Sequence, residues 1–140
     1  MGVPKMNIKK VDHIGIAVPN LDDAIKFYEE VLGIKCEGKE IVEEQKVNVA
    51  FLPVGDTEIE LLEGTDENSA IYKYIQKNSG RGGMQHIALN VDCIEDAINE
   101  FKEKGYIMLD DTFRYGAGGA KIAFCHPKST YGTLIELTER

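Results

Sequence analysis

Val11-Asp12-His13-Ile14-Gly15-Ile16-Ala17-Val18, followed by Leu21-Asp22-Asp23-Ala24-Ile25, decides the fold because the chain states it twice. The second version reads Met84-Gln85-His86-Ile87-Ala88-Leu89-Asn90-Val91 and runs on to Ile94-Glu95-Asp96-Ala97-Ile98. His86 follows His13 by 73 residues (86 − 13), and Ala123-Phe124 follows Ala50-Phe51 at the same interval. Glu58-Ile59-Glu60-Leu61 is matched by Leu134-Ile135-Glu136-Leu137 at an interval of 76 (136 − 60), so the second turn is three residues longer. Each half therefore carries one His near its first strand and one Glu near its last. Two such halves, packed as a pseudo-symmetric pair, would gather His13, Glu60, His86 and Glu136. Two imidazoles and two carboxylates suit one divalent ion per chain, Co, Mn, Ni, Fe or Zn, with positions left for water or substrate.

Periodicity supplies the elements. Residues 8–18 alternate, with Ile8, Ile14, Ile16 and Val18 on one side and Val11, His13, Gly15 and Ala17 on the other, as a half-buried strand requires. Asn20 or Asp22 can cap a helix whose apolar positions are Leu21, Ala24, Ile25, Tyr28 and Leu32, and Gly33 stops it. Glu40–Pro53 and Thr57–Glu63 read as β-rich runs joined by a hairpin through Val54-Gly55-Asp56. Thr65–Ser79 reads as a linker plus a short helix carrying Ile71, Tyr74 and Ile75. The second half predicts a strand over 84–91, a helix over 94–104 ending at Gly105, and strands near 106–109, 120–126 and 133–138. A βαβββ unit has one apolar sheet face that it cannot bury alone, so two units pair. The expected fold is α+β: a single domain over 1–140 in which two βαβββ modules form a curved mixed sheet around a metal-binding cleft. Module one spans about 8–64, the linker and short helix about 65–83, and module two about 84–140.

Composition narrows the function. A formal net charge of −8 with no Lys/Arg cluster excludes a nucleic-acid footprint. No apolar run approaches membrane-spanning length, and no signal-peptide pattern opens the chain. Cys36, Cys93 and Cys125 are odd in number and form no CxxC, which reads as reduced, buried thiols in a cytoplasm. The Gly-rich segment 115–120 lacks the spacing of a dinucleotide loop, and serves either as a tight loop or as a close backbone approach to a ligand.

A lone strand histidine is more often a hydrogen-bonded core residue than a ligand, and a lone strand glutamate is more often a solvated charge. Repetition in register changes that balance. His126, beside Pro127, has no repeat partner and reads as structural or as support for the site. Glu58 shares the face of Glu60, but its counterpart is Leu134, which favours Glu60.

His13, Glu60, His86 and Glu136 on paired βαβββ modules resemble the vicinal-oxygen-chelate superfamily, which includes glyoxalase I and the extradiol dioxygenases. Within it the chain is most similar to the methylmalonyl-CoA epimerase family. The resemblance lies in residues 11–18, in Phe51-Leu52-Pro53-Val54-Gly55-Asp56-Thr57-Glu58-Ile59-Glu60-Leu61-Leu62, in Gly82-Gly83-Met84-Gln85-His86-Ile87-Ala88, in His126-Pro127-Lys128-Ser129 and in Gly132-Thr133-Leu134-Ile135-Glu136-Leu137. It implies an isomerase of propionate metabolism that epimerises methylmalonyl-CoA, an acyl-CoA, through an enolate, and a homodimer is expected. It points to Glu136 as one acid/base group doubling as ligand. The other should be a carboxylate from the strand entering the first sheet: Glu44, with Glu43, of opposite alternation, in reserve. Lys121, Lys128 and Arg81 could meet the substrate carboxylate or CoA phosphates. Glyoxalase I-type isomerisation (lactoylglutathione lyase) uses the same quartet, and a metal-free binding module of the same fold is the alternative outside enzymes.

Overall fold

The computed structural model describes residues 4–140; residues 1–3, the start of the expected 1–140 domain, lie outside the described residues. Its described elements are eight strands and three α-helices, an α+β chain that runs through the same βαβββ order twice. The described residues form two compact units. One holds 13–85; the other holds the N-terminal residues through Asp12 together with 86–140.

The first module comprises β1 (Ile8–Ala17), α1 (Leu21–Glu30), β2 (Gly38–Val42), β3 (Val47–Val54) and β4 (Thr57–Gly64). Its strands lie in the order β2-β3-β4-β1. β1 and β4 are parallel, with His13 opposite Glu58 and Gly15 opposite Glu60, while β3 runs antiparallel to both β2 and β4. The sheet is therefore mixed, because α1 intervenes between β1 and the hairpin strands and a crossover permits the parallel pair. Side chains alternate across a strand, so Ile16, Ile59 and Leu61 turn toward α1. They pack there with Leu21, Ala24, Ile25, Tyr28 and Leu52. Leu52 and Leu61 are fully buried, and burial of each such side chain contributes about 1.5–3 kcal/mol.

Local chemistry sets the boundaries. Asn20 caps α1, its side chain accepting from the Asp23 N–H at 2.9 Å. The helix closes two residues before Leu32, because the Ile34 N–H returns to Tyr28 O at 2.9 Å around Gly33, whose φ is +70°. The expected β3–β4 hairpin forms with Val54 opposite Thr57, and of its two turn residues Gly55 takes the positive φ, +59°. Residues 40–53 are not one run. A 3-10 turn at Glu43–Gln45 and left-handed Lys46 (φ 55°) divide them into β2 and β3, with Val42 opposite Val47.

The short helix expected within 65–79 is α2 (Ala70–Lys77), capped by Ser69 and burying Ile71 and Ile75. The segment after it lies close against β1: a Cβ on Gly82 would meet Ala17 O at 2.2 Å, so only glycine fits.

The second module comprises β5 (Gly83–Val91), α3 (Ile94–Glu103), β6 (Arg114–Tyr115), β7 (Lys121–Phe124) and β8 (Ile135–Glu139). Its order is β6-β7-β8-β5, with β5 parallel to β8 and β7 antiparallel to β6 and β8. α3 packs Ile94, Ala97 and Ile98 on Ala123, Cys125 and Leu137. The strand expected at 106–109 is reduced to an isolated bridge between Met108 and Cys125. The ladder stops there because the Asp110 carboxylate, not a backbone carbonyl, takes the Phe124 N–H at 2.8 Å.

The same unit gathers the N-terminal segment. Glu100, 7% exposed, accepts the Lys5 and Met6 N–H groups at 2.8 and 2.6 Å and the Lys104 ammonium at 2.6 Å. Asp12, 5% exposed, binds Arg140 bidentately and accepts from Asn90 at 3.0 Å. Among the described residues no helix is long and apolar enough to cross a membrane.

Candidate functional site

Alternation that sends Ile14, Ile16, Ile59 and Leu61 to one face sends His13, Gly15, Glu58 and Glu60 to the other. The parallel register then puts the two functional side chains on neighbouring strands. His13 Nδ1 stands 3.5 Å from Glu60 Oε2, with each side chain 4% exposed. Glu58 shares that face, as expected, but is only half-buried. A buried ionised carboxylate is costly without a charged or hydrogen-bonding partner, so a His–Glu pair at this depth is built for more than packing.

The second module repeats the construction. β5 carries His86 and β8 carries Glu136, opposite Ala88 in the parallel register. His86 Nε2 lies 3.4 Å from Glu136 Oε1, with side chains 6% and 4% exposed. Phe124, opposite Glu136 on β7, meets the His86 ring edge-on at 5.4 Å and 86°, which fixes the plane of the imidazole. The remaining carboxylate oxygen, Glu136 Oε2, accepts the hydroxyl of Thr138, which is fully buried. His13 and Glu60 in one unit, and His86 and Glu136 in the other, are all buried side chains of metal-ligating type.

The other residues singled out in the sequence lie elsewhere. Glu43 and Glu44 are both exposed on the 3-10 turn, so strand alternation no longer distinguishes them. Lys121, half-buried on β7, has its ammonium 3.9 Å from Glu139 and 4.9 Å from the centre of the Phe113 ring. Lys128 is exposed in a 3-10 turn at Pro127–Ser129, and Arg81 is exposed after α2. His126 is structural: its Nδ1 accepts the Lys128 N–H at 3.0 Å and caps that turn. Gly116 packs against Ile122, whose Cδ1 would lie 2.8 Å from a Cβ at that position. Of the cysteines Cys125 is buried, and burial pushes its thiol up to about 12; Cys36 is half-buried and Cys93 exposed.

Sequence reasoning passed over Glu63 and Glu139. Glu63 Oε2 accepts the Leu21 N–H at 3.1 Å, and Glu139 Oε1 accepts the Ile94 N–H at 2.9 Å. Each thus binds the first amide of its own module's helix, three residues beyond the functional Glu of the same strand. The 76-residue interval (139 − 63) contained them.

Comparison with known proteins agrees with this construction. Residues 12–124 match the family model described as the Glyoxalase/Bleomycin resistance protein/Dioxygenase superfamily. Mitochondrial methylmalonyl-CoA epimerase of Homo sapiens is 37% identical over 133 residues, 95% of this chain and 75% of that protein. The crystal structure of methylmalonyl-CoA epimerase from Mycobacterium tuberculosis superposes with a TM-score of 0.91 at 33% identity, covering 99% of this chain and 92% of the other. A methylmalonyl-CoA epimerase in complex with methylmalonyl-CoA and NH4+ gives 0.88 at 36% identity, covering 95% of each chain.

Proposed function

The chain belongs to the glyoxalase/bleomycin resistance protein/dioxygenase superfamily, and from that premise we propose that it is a methylmalonyl-CoA epimerase. It interconverts the (R) and (S) forms of methylmalonyl-CoA by removing and returning one proton. The observation that carries the reading is the pair of buried His–Glu couples, His13–Glu60 and His86–Glu136, in a chain 35–37% identical over most of its length to epimerases of this substrate. The donor set fits the divalent ion that the superfamily implies: two imidazoles and two carboxylates, each nearly closed to solvent. His13, Glu60, His86 and Glu136 would hold it. When bound, such an ion supplies fixed positive charge against the negative charge that develops on the substrate's oxygens.

The chain's own side chains do the proton work. The α-carbon lies between a thioester and a carboxylate, so loss of its hydrogen leaves a planar enolate, and inversion needs a proton carrier near each face. Glu136 is one carrier, accepting the α-proton at a carboxylate oxygen. The second is a carboxylate of the Glu43–Gln45 turn, Glu44 or the adjacent Glu43. Lys121 and Lys128 meet anionic groups of the CoA ester. The reading includes a homodimer in a reducing, cytoplasmic setting, the latter supported by three cysteines that are all free.

The test is to incubate one configuration of methylmalonyl-CoA with metal-loaded protein in D2O and to follow stereochemistry and deuterium at the α-carbon. Inversion should carry solvent deuterium into the product. Glu136→Gln should lose metal affinity and turnover together, whereas Glu44→Gln or Glu43→Gln, whichever is the second carrier, should keep the metal and slow inversion by roughly 10²–10⁴. An untouched α-carbon together with isomerisation of a hemithioacetal would establish the glyoxalase chemistry instead.

A further inference from the structure

The two copies of the module differ at the position two residues after the functional glutamate. A strand returns to the same face every second residue, so Leu62 shares the face of Glu60 and Thr138 shares the face of Glu136. Leu62 is 5% exposed and Thr138 is 0% exposed, and each lies near the end of its strand. The parallel register, a His–Glu couple and the following Glu that binds the helix amide recur in both modules. The exchange of an isobutyl group for a hydroxyl is a chemical difference on the face of each module's functional carboxylate.

We infer that Thr138 is a positioning residue for Glu136: its hydroxyl fixes the carboxylate plane so that one oxygen serves the metal set while the other stays oriented. The terminal torsion of a glutamate is broad and roughly two-fold, so packing alone does not choose its plane. In the second module that plane is held at both ends. Glu136 Oε1 faces His86 Nε2 at 3.4 Å, and Glu136 Oε2 accepts the hydroxyl of Thr138. Thr138 is itself immobile, being β-branched, fully buried and opposite Asn90 in the β5–β8 register. The first module has leucine, with no hydroxyl, at the position that matches Thr138. Groups behind a ligand that orient it are typically worth 10–100-fold in metal affinity or activity. The inference rests on the reading that Glu136 is both ligand and proton carrier. It adds how this carboxylate can hold both tasks.

The test uses the full-length protein, stripped of metal and titrated with Mn²⁺ by calorimetry, alongside Thr138→Val, Thr138→Ser and Leu62→Val. Valine keeps the shape of threonine without the hydroxyl, and serine restores the hydroxyl alone. Thr138→Val should bind Mn²⁺ roughly 10–100-fold more weakly, Thr138→Ser within about threefold of the parent, and Leu62→Val like the parent. In turnover, Thr138→Val should lower kcat with KM for the CoA ester nearly unchanged, since no substrate contact is removed. Should the valine variant fail to fold, Thr138→Ala reads the same affinity. Parent-like Mn²⁺ affinity in a folded Thr138→Val or Thr138→Ala protein overturns the inference while leaving the metal reading standing. A parent that binds no Mn²⁺, Co²⁺ or Zn²⁺ overturns the metal reading itself, and the inference with it.

Discussion

Replacing Cys93 with asparagine should stabilise the protein, by an amount that the first module already measures. Cys93 stands 73 residues after Asn20, and both occupy the cap position of a ten-residue helix. Their backbones agree: φ −141° and ψ 117° at Asn20, φ −138° and ψ 108° at Cys93. Asn20 accepts the Asp23 N–H at 2.9 Å, whereas the Cys93 side chain makes no bond to its helix. In both helices a distant glutamate already serves the first amide, Glu63 at Leu21 and Glu139 at Ile94. A new cap would therefore take up a different donor, the Asp96 N–H, and would not compete. The exchange of a poor cap for asparagine is worth about 1 kcal/mol, within a range of about 0.5–2. For a chain of 140 residues that is roughly 3–5 °C in Tm. Cys93 is exposed, so removing its thiol sacrifices no packing. The assay is urea unfolding followed by far-UV circular dichroism under reducing conditions, with the denaturant slope held as a check on two-state behaviour. Asn20→Ala should lose about what Cys93→Asn gains. Glu139→Ala should cost more than Glu63→Ala, because α1 keeps Asn20 when Glu63 is removed. A Cys93→Asn protein no more stable than its parent, beside an Asn20→Ala protein that loses about 1 kcal/mol, would refute the equivalence of the two caps.

Glu100 ties stability to acid. The Lys104 ammonium first, then the Lys5 and Met6 N–H groups, hold its carboxyl down at about 2, against an ordinary 4.5. A folded value below the unfolded one contributes stability that is full above about 4.5 and is lost as pH falls through about 2. The stability gap between the parent and Glu100→Gln should accordingly be widest near neutrality and shrink between those limits; a gap constant from pH 7 to pH 2.5 contradicts the clasp. Thiol chemistry should separate the cysteines. At pH 8 an alkylating reagent should modify Cys93 in the native state and leave Cys125, pushed up to about 12 by burial, untouched until urea unfolds the chain. Rapid native-state labelling of Cys125, mapped by peptide mass, would mean that the α3 core opens far more readily than its packing implies.

Much of this protein is legible from the repeat alone. The 73- and 76-residue intervals locate α1 and α3, both parallel strand pairs and the four side chains of the candidate site, because alternation by two and helical spacing by 3.6 are local rules that each copy obeys independently. The intervals even contain Glu63 and Glu139, although a glutamate near a strand end gives no sign in sequence that it reaches a helix amide. What the intervals could not supply are features set by non-local hydrogen bonds. The Asp110 carboxylate ends the strand expected at 106–109 by taking the Phe124 N–H. Left-handed Lys46 turns an apparent β-run into a hairpin and removes the alternation on which the choice between Glu43 and Glu44 depended. Thr138 could be read as the partner of Leu62, but only the tertiary structure shows its hydroxyl on Glu136 Oε2. A sequence records which residue types stand at each step of a strand or helix, and periodicity turns that into faces and elements. Which carboxylate oxygen meets which donor depends on strand register and side-chain torsions across dozens of intervening residues, and only packing decides those.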